Sequence, residues 1–126
     1  MKTIINTTNA PAPIGPYSQA VIANGFLFAS GQVALNPENG ELTIGSIAEE
    51  THQVMRNIKS VLLEADYGFS HIVKTTIFLS DMNLFAEVNE IYGSYFDSEY
   101  PARETVAVKG LPKGVNVEIS ITAFKA

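Results

Sequence analysis

No cysteine and no tryptophan occur among the 126 residues. The missing cysteine excludes disulfides, thiolate metal ligands and a cysteine nucleophile, and it agrees with a reducing compartment. Histidine is scarce too, with His52 and His71 the only two. Neither has a partner at metal-ligand spacing, and Glu49 and Glu50 before His52 read as an ordinary solvated helix face, so no zinc site is expected. Spacing permits a Ser-His-Asp triad, but nothing favours one. No run of about 18 apolar residues is present, so no membrane span is expected. Met1 to Asn9 holds one basic residue and no apolar stretch of signal-peptide length, so the expected location is the cytoplasm. Positive charge is thin: eight Lys and Arg against thirteen Asp and Glu give −5, with no basic block to neutralise phosphates. No nucleic-acid partner is expected. The chain has no Gly-x-Gly-x-x-Gly, no P-loop and no Gly-x-Ser-x-Gly, so no nucleotide cofactor and no nucleophile elbow are indicated.

What is present fits one α/β domain over residues 1–126, in which 46% of the residues are hydrophobic. A chain of this length buries roughly two-thirds of its unfolded surface and needs no staple. Thr3 to Asn6 reads as a short strand. Asn9 to Pro16 carries Pro11, Pro13 and Pro16 and must be a loop, since proline removes donors and fixes φ. Ala20–Ala23 and Phe26–Ser30 are β-rich runs separated by Asn24-Gly25 alone, the signature of a type I′ hairpin turn. Gly31 ends the pairing or marks a bulge. Asn36-Pro37-Glu38-Asn39-Gly40 is a second turn.

Ser46-Ile47-Ala48-Glu49 reads as a capping box. The helix it opens places Ile47, Val54, Ile58, Val61, Leu62 and Ala65 on one side and Glu50, Gln53, Asn57 and Lys59 on the other. Gly68 suits its C-cap. Ile72–Leu79 is a strand, about Asn83–Phe96 a helix burying Phe85, Val88, Tyr92 and Phe96, and Glu104–Val108 a strand. Val115 to Phe124 alternates, with Glu118, Ser120 and Thr122 on its polar side. The order is β-β-β-α-β-α-β-β, an α+β arrangement with a mixed sheet of about six strands covered on one face by two helices. The other face would then be either polar and wet or covered by another subunit.

Four candidates for chemistry stand out. Arg103 follows Pro101-Ala102 at the start of a strand, where a guanidinium can grip a carboxylate through two parallel hydrogen bonds. A lone loop arginine paired with solvent or Glu104 is, on sequence alone, the commoner case. Glu118 on the polar side of the last strand could manage protons if a cleft raises its pKa, or be simply solvated. Tyr17, flanked by Gly15 and Pro16, is either a hinged cover over a pocket or an anchor for its loop. Ser30-Gly31-Gln32 offers polar donors beside a flexible glycine, or merely ends a strand.

Several longer motifs carry a further reading: Asn9 to Ala20 (Asn-Ala-Pro-Ala-Pro-Ile-Gly-Pro-Tyr-Ser-Gln-Ala), Ala29-Ser30-Gly31-Gln32, Ile72 to Phe78, Val88-Asn89-Glu90-Ile91-Tyr92, Pro101-Ala102-Arg103, Leu111-Pro112-Lys113-Gly114 and Val117-Glu118-Ile119. In this order they resemble the RidA/YjgF family, the reactive intermediate deaminases, over essentially the whole chain. The resemblance implies a chorismate-mutase-like fold, a homotrimer with clefts between subunits, and no cofactor. It implies hydrolysis of 2-imino acids and their 2-enamine tautomers, such as 2-iminobutanoate and 2-iminopropanoate, to 2-keto acids and ammonia. Such intermediates arise when pyridoxal-phosphate enzymes dehydrate serine or threonine, and they damage those enzymes. Arg103 matches the family's carboxylate clamp, Glu118 its acid, and Tyr17 the aromatic over the substrate. Ser30 and Asn89 match polar residues near the cleft. Thr105 stands where many bacterial members have cysteine; its backbone could still contact substrate, but substrate preference and thiol-based regulation are left open. A non-enzymatic module for small carboxylates is the alternative, and a ribonuclease or translation inhibitor, given the acidic charge, the weaker one.

Overall fold

In the computed structural model, which describes residues 1–126, Asn24 and Gly25 both take positive φ, 52° and 85°. The tight turn they make joins β2 (Ala20–Ala23) to β3 (Phe26–Ala29), as the dipeptide predicts. β1 (Thr3–Ile5) pairs antiparallel with β2. α1 runs over Ile47–Glu64, β4 over Ile72–Leu79, α2 over Phe85–Gly93, β5 over Ala102–Ala107 and β6 over Val117–Phe124. The six strands form one sheet in the order β1-β2-β3-β6-β4-β5, with only β4 and β5 parallel. The fold class and the element order are those expected.

Boundaries differ for local reasons. The second helix is shorter than Asn83–Phe96, because Asp81 caps a separate 3-10 turn over Met82–Leu84 through Asn83 N–H. Val88 and Tyr92 are buried on α2, while Phe85 and Phe96 are only partly so. α1 opens at Ser46, whose Oγ accepts from Glu49 N–H at 3.1 Å. It closes before Gly68. Asp66 takes the left-handed position with φ 62°, and the amides of Asp66 and Tyr67 return to the carbonyls of Leu63 and Leu62.

Both helices lie on one face of the sheet. α1 packs on α2 and β6, and the core between includes Leu27, Ile58, Leu62, Ile77, Leu79 and Ile119. Burying each such side chain contributes about 1.5–3 kcal/mol. The expected polar side of α1 is wrong for Glu50, Gln53 and Asn57, all of which are buried. Each has non-local partners: Glu50 accepts from the amides of Asn116 and Val117, and Asn57 Nδ2 donates to the carbonyls of Val33 and Leu35. Gln53 Oε1 accepts from the Thr43 hydroxyl at 3.4 Å, while its Nε2 donates within the helix to Asn57 Oδ1. Nor is His52 freely solvated, since its Nδ1 lies 2.7 Å from the Tyr95 hydroxyl.

Pairing register sorts the strand residues between the two faces. On β6, Val117, Ile119, Ile121 and Ala123 are buried beneath the helices, and Glu118, Ser120, Thr122 and Phe124 point the other way. That open face is apolar over much of its area. Ile4, Phe26, Phe28, Val106 and Phe124 are exposed on it, Phe28 by 48%.

Candidate functional site

Glu118 stands on the open face of β6, opposite Phe78 of β4. Beside it the chain leaving β3 carries an extra residue. Between the Phe28–Thr122 and Gln32–Ile119 pairs one strand advances four residues and the other three, a bulge at Ser30-Gly31. The bulge brings Gly31 under the Glu118 side chain. A Cβ at position 31 would overlap the carboxylate and lie 2.8 Å from Glu118 Cδ, so only glycine admits this carboxyl here. Glu118 is partly buried, and that desolvation raises its pKa above the ordinary 4.5. It belongs to neither of the chain's two ion pairs.

The cleft around Glu118 has a volume of about 480 Å³. The proline-rich loop contributes Pro11, Ala12, Ile14 and Tyr17 to its walls, and Val33, Leu35 and Lys113 line it too. Tyr17, half exposed, and Ser30 both line it. The Ser30 hydroxyl donates to Ser18 O at 2.6 Å, which ties the bulge to the loop. Tyr17, Ser30 and Glu118 therefore come together.

Arg103 does not join them within one chain. It pairs with Thr75, which is buried under α2, so its side chain leaves the sheet on the helix-covered face. There its guanidinium carbon lies 5.5 Å from the ring centroids of both Phe85 and Tyr92, and Nη1 donates to Asn89 Oδ1. Glu104 does not engage it: that carboxylate pairs with Lys74 at 3.2 Å on the opposite face. Arg103 is thus oriented by α2 yet has no counter-charge. It lines a second cleft of about 400 Å³ with Asn89, Tyr92, Tyr100 and Pro101. Two residues on, Thr105 faces the same side, and its Oγ1 is buried without a hydrogen-bond partner.

One chain therefore carries two separate candidate groups on opposite faces of one sheet: a carboxyl with a raised pKa, and a guanidinium between aromatic rings without a counter-charge. Sequence reasoning missed the parts that depend on register and packing. Phe85 and Tyr92 looked like core alone. The pattern around Gly31 does not show its steric reason, and no local signal marks Gln19, 1% exposed behind the loop. No three His, Asp or Glu side chains gather as a metal-ligand set. No helix is long and apolar enough to cross a membrane.

Residues 7–125 match the family model described as endoribonuclease L-PSP. The human 2-iminobutanoate/2-iminopropanoate deaminase is 43% identical over 99% of this chain and 91% of its own length. A crystal structure of YyfA from Yersinia pestis, of the conserved Rid protein family, superposes with a TM-score of 0.97 at 49% identity, covering 99% of this chain and all of that one. Escherichia coli TdcF with bound serine matches with a TM-score of 0.94 at 36% identity, over 98% of this chain and 99% of that one.

Proposed function

From the chain's membership of the endoribonuclease L-PSP family, the RidA/YjgF family of its motifs, we propose that it hydrolyses 2-imino acids and their enamine tautomers to 2-keto acids and ammonia. The observation that carries this reading is the presence in one chain of an unpaired, aromatically flanked Arg103 and a cleft-bound Glu118 with a raised pKa. The first suits the substrate's carboxylate, the second the proton transfers of imine hydrolysis.

Two copies of the chain complete each site. Arg103 and Glu118 leave the sheet on opposite faces, so a substrate of a few atoms meets both only when one chain supplies the guanidinium and its neighbour the carboxyl. The exposed apolar face carrying Phe26, Phe28 and Phe124 supports such an assembly, since it needs a covering surface. A closed ring of three gives three equivalent clefts.

The chemistry follows from these groups. Arg103 holds the carboxylate; Thr105, two residues further along β5, leaves the sheet on the same side, its hydroxyl buried and unsatisfied. Tyr17 covers the substrate from the neighbouring rim. An enamine first takes a proton at its β-carbon and becomes the iminium. Glu118, ionised, accepts a proton from water as its oxygen adds to the iminium carbon. The carbinolamine then receives that proton on nitrogen, ammonia leaves, and the hydroxyl proton returns to solvent as the keto group forms. General acid–base help of this kind contributes about a hundred- to ten-thousand-fold in rate.

The test couples the purified protein to a threonine dehydratase and follows 2-ketobutyrate with semicarbazide competing for the imine. Faster release of keto acid, lost in Arg103→Ala with the assembly intact, supports the reading; an unchanged rate refutes it. A carboxylate-binding module without turnover is the second reading, favoured by the serine bound in the TdcF structure. Calorimetry showing tight 2-keto acid binding by a protein that turns over no imine would favour it.

A further inference from the structure

The loop that walls the Glu118 cleft has almost nothing of its own to hold it. Pro11, Pro13 and Pro16 have no N–H, and within Thr7–Tyr17 the one backbone-to-backbone hydrogen bond runs from Tyr17 to Gly15 O. Besides the bonds from the Ser30 hydroxyl to Ser18 O and from Asn9 N–H to Thr7 Oγ1, one side chain makes most of the hydrogen bonds that hold the wall of Pro11, Ala12 and Ile14. The Gln19 amide, fully buried, accepts from Thr7 N–H at 2.7 Å through Oε1. Its Nε2 donates to the carbonyls of Thr7 at 3.0 Å, Pro11 at 2.9 Å and Ala10 at 3.3 Å. Gln19 adjoins the start of β2, and its own carbonyl accepts from Ser30 N–H at 2.9 Å, so the amide is fixed to the sheet beside the bulge that carries Gly31.

We propose that Gln19 is a positioning residue that sets the side-chain size preference of the cleft, by clamping the Pro11–Ile14 wall at a fixed distance from Glu118. The inference rests on the imine-hydrolysis reading and deepens it. The carboxylate and the reacting carbon of every substrate are alike and are handled by Arg103 and Glu118. What differs is the aliphatic side chain, and the apolar surface that the cleft offers it includes Pro11, Ala12 and Ile14 of the loop beside Val33 and Leu35. A fixed apolar wall discriminates by methylene fit at about 10- to 200-fold; a wall free to recede does not.

The test measures kcat/KM for imines of increasing side-chain size, generated in place from the amino acids by an amino-acid oxidase, in wild type, Gln19→Met and Pro11→Gly. Gln19→Met keeps the length and apolar volume but none of the amide's hydrogen bonds. Pro11→Gly loosens the wall while keeping the carbonyl that accepts from Gln19 Nε2 and leaving the core untouched. In each folded variant the ratio between the smallest and bulkiest imine should move at least about tenfold toward unity. A loss merely of structure would lower all substrates alike. If Gln19→Met does not fold, Pro11→Gly alone decides. A folded variant that keeps the wild-type ratio overturns the proposal, whereas a wild type that accelerates no imine overturns the functional reading instead.

Discussion

Arg103 and Glu118 occupy opposite faces of the same six-stranded sheet, Arg103 turned under α2 and Glu118 turned away from it. If a site needs one from each of two subunits, the two defects complement. Arg103→Ala and Glu118→Gln should each lose about a hundredfold or more of their activity as pure proteins. Unfolded together in equal amounts and refolded, they should regain activity in about a quarter of the sites, where a wild-type Arg103 meets a neighbour's wild-type Glu118. Turnover by the mixture against the separate variants checks this; a mixture no more active than its parents refutes the shared site.

Gly31 owes its identity to Glu118 rather than to backbone strain, as its φ is not among the positive ones. Gly31→Ala should force the flexible carboxyl to swing aside at little cost to stability, about 1 kcal/mol or less. Turnover should fall by about a hundredfold or more, toward that of Glu118→Gln. The double variant should lose nothing further, because both changes remove the same group. Steady-state kinetics of the three variants decide it, and additive losses would break the link.

A feature of this fold is legible in the sequence to the extent that its cause is local. Asn24-Gly25 predicts its turn because both φ values are set within the dipeptide, and the alternation of β6 follows from its period of two. Glu50 reads as solvated because its neighbours on the polar stripe of α1 are polar. Its burial is fixed by amides 66 and 67 residues away, which no local pattern reveals. The separation of Arg103 from Glu118 needs the registers Thr75–Arg103 and Phe78–Glu118, and these exist only once β5 has chosen β4 as its parallel partner. Gly68 lost the helix end to Asp66 because the chain turned two residues earlier to bury Tyr67, whose hydroxyl donates to Gly25 O.

Glu50, 0% exposed, holds the start of β6 through three hydrogen bonds: from Asn116 N–H at 2.7 Å, Asn116 Nδ2 at 3.0 Å and Val117 N–H at 3.0 Å. Glu50→Ala leaves those donors without an acceptor in the core and should cost about 3–5 kcal/mol. Glu50→Gln keeps one carbonyl oxygen and should cost less. Urea denaturation at fixed protein concentration measures both. A change below about 1 kcal/mol in the alanine variant would show that the bonds are not needed there.

Glu118 should make the protein less stable at neutral pH than it would be without this carboxyl. Burial raises its pKa above the 4.5 it has when solvated, so between those two values the folded state binds more protons than the unfolded. Stability from this group is fully present below 4.5 and falls as pH rises through the raised folded value. Above that value the ionised, partly desolvated carboxylate disfavours folding. Glu118→Gln removes the penalty and should raise Tm at neutral pH, with the advantage over wild type shrinking to nothing as pH falls below 4.5. Scanning calorimetry of both proteins across the acid range checks the sign. The opposite trend, with wild type gaining on the variant as pH rises, would mean that Glu118 acquires a cation in the assembly, and Arg103 or Lys113 would be the group to examine. The same carboxyl should set the acid limb of kcat/KM, which Glu118→Gln should abolish, so a destabilising residue and a proton-handling one would be the same side chain.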